Sequence, residues 1–379
     1  SWPDALQILF WIVVSVVGGT WIVFAYWRLL SEWKRRSEGE APLRSQRAAI
    51  WRDPGDVSRR DLRQGPGQPP QPPFHFMEEH DTGSQPCVSV KDATGREWRV
   101  KWGSEVRTET FGTRLAWALG YFSEETHFIA DGEIAGTREL RRAKDCIDEH
   151  HRFTEARFEL SESGVAKHFD AHSWAWNDNP FVGTHELNGL KILLMLLSNW
   201  DNKDVRDVAR GSNTAIFEYP LGADTGSSRS RARSRSSARS ATEARYLIID
   251  WGAALGAWGN NIVQRGRWDV SAYAGQNESF VTGVDADGTV RWGYQGQRTA
   301  DATEGITIED VRWFYRLAGQ LTDEQLHHGF LASGATPDEA GYFTAAMRAR
   351  LDKLAEIATR DVADAAEIAT RDVRPRNSP

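Results

Sequence analysis

Hydrophobic and polar positions divide the chain into an apolar opening, a polar stretch, a region of alternating period and a region of helical period. From Ala5 to Tyr26 the sequence reads ALQILFWIVVSVVGGTWIVFAY, with Gln7 its only strongly polar member. A helix of that length rises about 33 Å, against a hydrocarbon core of about 30 Å. Trp2, Trp21, Tyr26, Trp27 and Trp33 lie near its ends, where amphipathic rings favour the membrane interface. The pattern predicts one transmembrane helix within residues 1–30, with the lipid bilayer as its partner. A cleaved signal peptide fits less well, because bulky Trp27, Leu29 and Leu30 stand where cleavage needs small residues. Arg28, Lys34, Arg35 and Arg36 follow the span and Asp4 precedes it. The positive-inside rule then predicts a single-pass membrane protein whose C-terminal part is cytoplasmic.

Residues 31–73 are charged and end in GPGQPPQPP, which predicts a linker with an extended spacer at its end. Period two begins after it. Phe74–Met77 is a short apolar run, and Val88–Val90 and Arg96–Trp102 flank the turn Ala93-Thr94-Gly95, a hairpin pattern. Trp98, Val100 and Trp102 share one face of the second strand, while Glu97, Arg99 and Lys101 share the other. Helical spacing then predicts a helix over Glu105–Tyr121, with Gly120 at its exit. A second helix over Thr184–Trp200 has Thr184 as its N-cap and is apolar on all sides from Leu187 to Leu197, the mark of a buried helix. It runs into Asn199-Trp200-Asp201-Asn202-Lys203-Asp204. Strands are predicted at Thr214–Tyr219 and Tyr246–Ile249, with helices at Ile308–Leu317, Asp323–Leu331 and Pro337–Ala358. The expected organisation is a β-rich lobe over 74–180 and a helical lobe over 181–350. The latter is interrupted by a disordered Ser/Arg insert at 227–245 that cannot build a core. A helical tail over 351–379 carries AEIATRDV twice, at an 11-residue offset that extends a helix face.

Composition narrows the functional classes. The chain has 379 residues and a net charge of −7, so dedicated nucleic-acid binding, which needs a basic face, is not expected. Cys87 and Cys146 are the only cysteines and lack metal-ligand spacing. His168 and His172 would share a face if helical, but no Glu of a zinc-protease motif lies between them. No Gly-x-Ser-x-Gly elbow is present.

What remains is an ordered series: a hairpin with a lysine, a helix with glutamates, a buried helix, an acidic loop, and a strand ending in Asp250-Trp251-Gly252. Phosphoryl transfer needs few protein parts: a cation on the nucleotide phosphates, a carboxylate at the acceptor hydroxyl, and a carboxylate on magnesium. Lys101 suits the first, with Glu109 or Glu105 to pair with it; Asp201 suits the second and Asp250 the third. Each also has a plain reading. Lys101 and Glu109 are ordinary surface charges on many proteins, Asp201 and Asp204 are helix caps, and Asp250 is a turn former.

On these strings the chain resembles the protein-kinase-like superfamily. Asp201-Asn202-Lys203 is similar to the Asp-x-Lys of a kinase catalytic loop, and Asp250-Trp251-Gly252 to the Asp-Phe-Gly metal motif. Val100-Lys101 before a Glu-bearing helix is similar to the phosphate lysine and its glutamate partner. The atypical members, namely HipA-type toxin kinases, secretory-pathway kinases and lipid kinases, are nearest in style. VKWGSEVRTE, RLAWALGYF and NWDNKD also resemble a group of bacterial membrane-anchored proteins. The resemblance covers about residues 74–350. It implies a two-lobed α+β kinase-like domain, a small antiparallel β lobe plus a mainly helical lobe, behind the transmembrane helix. It implies ATP and Mg as cofactors, with Asp201 and Lys203 catalytic and Lys101 and Glu109 on the nucleotide. Asp250 would hold the metal, helped by Asp207 or Asn213. Departures are visible. The turn Thr82-Gly83-Ser84 is a weak stand-in for a Gly-rich phosphate loop, leaving Gly83 and Ser84 as the nucleotide-loop candidates. Arg206 stands where the family has its catalytic-loop Asn, and Arg99 shares the Lys101 face. The activity expected is phosphate transfer, or adenylate transfer with the same parts, to an unidentified acceptor. The alternatives are a catalytically inactive kinase-like binding module at the membrane and a histidine-based metal hydrolase.

Overall fold

The computed structural model describes residues 45, 47–81, 83, 85–221, 242–259 and 266–360. The expected membrane anchor, the Ser227–Ser240 tract, Ser84 and the second AEIATRDV copy lie outside the described residues. Among those described, no helix is long and apolar enough to cross a membrane.

The architecture is mixed α+β, with a β-rich N-terminal part and a helical C-terminal part. Strands β1 (Arg47–Ala49), β2 (Phe74–Glu79), β3 (Cys87–Lys91) and β4 (Glu97–Lys101) lead into helix α1 (Val106–Ala118). Then come β5 (Thr126–Ala135), β6 (Arg152–Leu160), β7 (Ala166–His168) and helix α2 (His185–Leu196). Five of these strands close a small barrel in the order β2-β3-β4-β6-β5. The β2–β5 contact that closes it is parallel, so the β lobe is not purely antiparallel as expected. Trp98, Val100 and Trp102 turn into its core with Val88, Val90, Phe153 and Phe158. The alternation within β4 leaves Arg99 and Lys101 on the opposite face.

Strands β8 (Thr214–Pro220) and β9 (Thr242–Ile248) form a hairpin within a second sheet, ordered β1-β9-β8-β7. β7 pairs with β8, which ties residues 166–168, within the span read as the β-rich lobe, to this second sheet. β9 also takes in residues 242–245, which the sequence reading placed in the insert. His168 stands on β7 and His172 in a short 3-10 turn, so they do not share a helix face.

The helical part continues with α3 (Val270–Gly275), the hairpin β10 (Val281–Val284) and β11 (Val290–Trp292), then α4 (Thr299–Thr303). Helices α5 (Ile308–Ala318), α6 (Asp323–Leu331) and α7 (Pro337–Ala358) complete it. Each of α5, α6 and α7 starts in a reciprocal capping box, from Thr307 with Asp310, Thr322 with Gln325, and Thr336 with Glu339. α7 stops at Ala358 with Thr359 as its cap, so within the described residues the helix does not extend through the predicted tail.

The spacer reading of residues 47–73 is corrected. β1 pairs in parallel with β9, and Ile50, Val57 and Leu62 are buried in the main core. Trp51 donates to the Leu119 carbonyl at 2.8 Å, Arg60 lies over the Trp117 ring, and Gln325 donates to the carbonyls of Val57 and Arg60. The segment is a strap across α1 and α6. Its few aliphatic residues are spaced widely among charges, so the burial left no periodic signal.

Candidate active site

The loop after α2 begins at a sharp reversal. Ser198 has φ +56°, and its hydroxyl accepts from Arg350 Nη1 at 2.8 Å. Arg350 is fully buried on α7 and also donates to the Leu196 carbonyl at 3.0 Å. A cation at the carbonyl end of α2 meets the negative end of the helix dipole. Burial lowers its guanidinium pKa to about 10.

Beyond that reversal, Asn199 joins the two acidic loops. Its side-chain nitrogen donates to the Asp250 carbonyl at 2.9 Å, and its side-chain oxygen accepts from the Asp201 N–H at 3.4 Å. Tyr294 holds the Asn199 carbonyl at 2.5 Å. Asn213 adds a third tie: its side chain donates to the Asp201 carbonyl, its N–H to the Lys203 carbonyl, and its own carbonyl accepts from Ile249. Asp201, Lys203, Asn213 and Asp250 are thereby gathered at one end of the β8–β9 hairpin. Lys203 Nζ lies 3.2 Å from Asp201 Oδ2. The other oxygen, Asp201 Oδ1, is buried without a hydrogen-bond partner. A buried acceptor is rarely left so unless something else meets it.

Asp204 and Asp207 serve a different purpose. Asp204 is fully buried, caps the 3-10 helix Val205–Arg210 and takes two hydrogen bonds from Arg206. Asp207 receives Arg210 at 2.5 Å and Arg298 at 2.7 Å. Burial would raise the Asp207 pKa, but these two guanidinium groups hold it below the usual carboxylate range. The Asp207 carboxylate, a metal candidate by sequence, is therefore committed to arginines beneath the loop.

The upper wall comes from β4, β6 and α1. In the β4–β6 pairing Lys101 is opposite Arg157 and Arg99 opposite Glu159, and the alternating residues Val100 and Phe158 face the barrel core. Arg157 Nη1 lies 3.0 Å from Glu109 Oε2, and its Nη2 lies 2.7 Å from Glu159 Oε2. Lys101 Nζ is 3.9 Å from Glu159 Oε2. The expected Lys101–Glu109 pair is thus replaced by two others, Lys101 with Glu159 and Glu109 with Arg157. Glu105 instead meets Arg267.

Glu109 is almost wholly buried, and its Oε2 has no hydrogen-bond partner. Burial drives its pKa well above the ordinary carboxylate value; Arg157 opposes this, while the facing Asp250 carboxyl, within hydrogen-bonding reach, pushes it further up. Lys101 acts on the same carboxyl. Lys101 and Asp250 thus both lie near enough to the Glu109 carboxyl to act on it electrostatically. α1 is seated there by close packing: a Cβ on Gly112 would meet Trp251 Cβ at 2.5 Å and Cγ at 2.7 Å. Thr108 also donates to the Gly252 carbonyl at 3.0 Å.

Gly83 lies in the β2–β3 turn with φ +97°. Its carbonyl accepts from Arg142 at 2.7 Å, as do the carbonyls of His80 and Gln85 at 3.2 Å each. Thr82 and Ser84, the other residues of that turn, lie outside the described residues.

Sequence reasoning missed Arg157, Glu159, Glu124 and Lys167. Lys167 on β7 is 2.9 Å from Glu124 and acts on Glu159. The available signal was the alternation Ala156-Arg157-Phe158-Glu159, apolar and charged in turn.

No group of three or more His, Cys, Asp or Glu side chains able to hold a metal occurs among the described residues. Magnesium often takes only one or two protein carboxylates and completes its shell with phosphates and water. Glu109 facing Asp250, each with spare oxygen capacity, fits that limited donor set.

No family model and no curated protein matches the chain. Two solved structures resemble it. One is a crystal structure of the Golgi casein kinase with Mn/ADP bound, at 13% identity over 83% of this chain and 78% of that one, TM-score 0.36. The other is a crystal structure of the Golgi casein kinase, at 12% identity over 81% and 78%, TM-score 0.30. Likeness at that level leaves function to be read from the chain's own residues.

Proposed function

We propose that this protein is an ATP- and magnesium-dependent phosphotransferase of atypical kinase type, tethered to a membrane by its N-terminal segment. The observation that carries the reading is the joining of the Asp201 and Asp250 loops through Asn199, with the Glu109 helix seated on the Asp250-Trp251-Gly252 turn through Thr108 and Gly112.

In this reading Lys101 orients the nucleotide phosphates from the upper wall. Asp250 and Glu109 hold the divalent cation, with the Asn213 amide oxygen as a further donor. That cation, when bound, would offset charge on the transferring phosphate oxygens. Asp201 accepts the acceptor hydroxyl's proton as the new O–P bond forms. The bridging O–P bond breaks and the nucleoside diphosphate leaves with its electron pair. The Lys203 amine, 3.2 Å from Asp201 Oδ2, balances charge on the moving phosphoryl group. Intact-mass analysis of the protein after incubation with Mg-ATP tests this. A phosphate adduct is expected in the wild type and not in Asp201→Ala; an adenylate adduct would change the reaction type; an unmodified wild type that also leaves ATP intact would end the reading.

A second reading, an inactive kinase-like binding module, is favoured by one observation. The cleft wall is already filled by paired charges, Lys167 with Glu124 and Arg157 with Glu109 and Glu159. It predicts Mg-ATP binding without turnover, or no binding at all.

A further inference from the structure

We propose that Glu159 of β6 is the positioning residue for Lys101, replacing the helix glutamate in that task, so that the lysine is aligned by its own sheet and not by α1. This inference rests on the phosphotransferase reading above.

Register comes first. β4 and β6 are hydrogen-bonded neighbours, with Arg99 opposite Glu159 and Lys101 opposite Arg157. Residues directly opposite or diagonal on one face of an antiparallel pair lie within reach of long side chains. The Glu159 carboxylate therefore meets cations from its own strand and from the neighbouring one. It lies 2.7 Å from Arg157, 3.9 Å from Lys101 and 3.9 Å from Arg99. Glu159 is 3% exposed, so water screens these pairings little. Burial alone would raise its pKa; Lys101, Arg157, Arg99 and Lys167 together hold it below the usual range.

Glu109 cannot fill the same role. Arg157, not Lys101, stands against it at 3.0 Å. The two glutamates share one guanidinium, one through each terminal nitrogen, which separates their duties. Glu159 holds Lys101, and Glu109 is left to the cation side. Lys101 is also one-third exposed at its side chain, so a phosphate can reach it while Glu159 fixes its other side.

Binding of Mg-ATP and of Mg-tripolyphosphate, which lacks the nucleoside, by calorimetry tests the assignment. Glu159→Gln should weaken both ligands by on the order of tenfold, which corresponds to about 1.4 kcal/mol. Glu159→Asp should recover part of the loss, because it restores the charge. In a double-mutant cycle, Lys101→Met with Glu159→Gln should bind no more weakly than Lys101→Met alone. A merely structural role for Glu159 would instead give additive losses and no recovery with Asp. Additivity, or unchanged binding in Glu159→Gln, overturns the inference and leaves the phosphotransferase reading standing. Wild-type protein that binds neither ligand overturns both. If Glu159→Gln does not fold, Glu159→Asp in the Lys101→Met background supplies the same cycle.

Discussion

The two sides of the site are built by different forces. The lower wall, carrying Asp201, Lys203, Asn213 and Asp250, is set by hydrogen bonds that end mostly on backbone atoms: Asn199 to the Asp250 carbonyl, Asn213 to the Asp201 carbonyl, Tyr294 to the Asn199 carbonyl. The upper wall is set by charge against charge among Lys101, Glu109, Arg157 and Glu159. Backbone-anchored geometry persists when a functional side chain is changed. A buried charge network does not, because each group removed leaves another uncompensated. Substitutions below should therefore cost activity while sparing the fold, whereas substitutions above should cost both.

The largest expected effect is on the lower wall. Asp201→Asn should reduce single-turnover phosphoryl transfer by about 10²–10⁴-fold, the usual contribution of a general base. Its melting temperature should stay near that of the wild type, and a large thermal loss would mean that Asp201 belongs to the scaffold. On the upper wall, Arg157→Met strands two buried glutamates and should destabilise the protein by about 3–5 kcal/mol in urea unfolding. Adding Glu109→Gln should recover part of that loss. If the double variant is no more stable than the single, Glu109 is not held by Arg157.

Smaller effects probe the seam between the walls. Gly112→Ala places a methyl group against Trp251 and should cost about 1–3 kcal/mol by overpacking. A neutral result would show that α1 is not seated on the Asp250-Trp251-Gly252 turn. Asp207→Asn turns one of the two arginine-accepting oxygens into an N–H donor facing a guanidinium and should cost about 1–3 kcal/mol with metal affinity unchanged. A fall in metal affinity would return Asp207 to the ligand set.

Titration distinguishes the walls as well. Burial raises the folded-state pKa of Glu109 well above the ordinary carboxylate value of 4.5. The stability it contributes as a protonated group is complete below that value and is lost as pH rises through the raised one. Glu159 is depressed, so its contribution is present above the ordinary carboxylate range and is lost as pH falls. A cation bound at Glu109 and Asp250 must displace the Glu109 proton. Its affinity should therefore climb by about tenfold per pH unit between 4.5 and the raised pKa. A flat profile across that window would exclude Glu109 as a ligand.

The same contrast explains what the sequence made legible. The lower wall was readable because its parts are local. Asp201 and Lys203 follow a buried helix directly, Asp250 ends an apolar strand, and Thr184 caps α2 as expected. The upper wall was only half readable. Lys101 and Glu109 were found by their order, but their partners Arg157 and Glu159 lie on a strand whose period is broken. Phe153 and Phe158 reach one core although they are an odd number of residues apart, and between them Glu155 turns with φ +46°. Strict alternation would have put those rings on opposite faces. The strap over 47–73 was misread for a related reason: Ile50, Val57 and Leu62 follow the curved surface of α1 and α6, not a helix or strand period. Asp207 shows the converse limit. Its residue type suits a metal, and only tertiary structure reveals Arg210 and Arg298 upon it.

The central claim is that Lys101 and Asp250 act on one nucleotide–metal complex, and thermal unfolding with and without Mg-ATP tests it most directly. Ligand at about a hundred times its dissociation constant should stabilise the wild type by about 2.7 kcal/mol. Lys101→Met and Asp250→Ala should each lose most of that shift. No stabilisation of the wild type, or a full shift surviving both substitutions, would contradict the account.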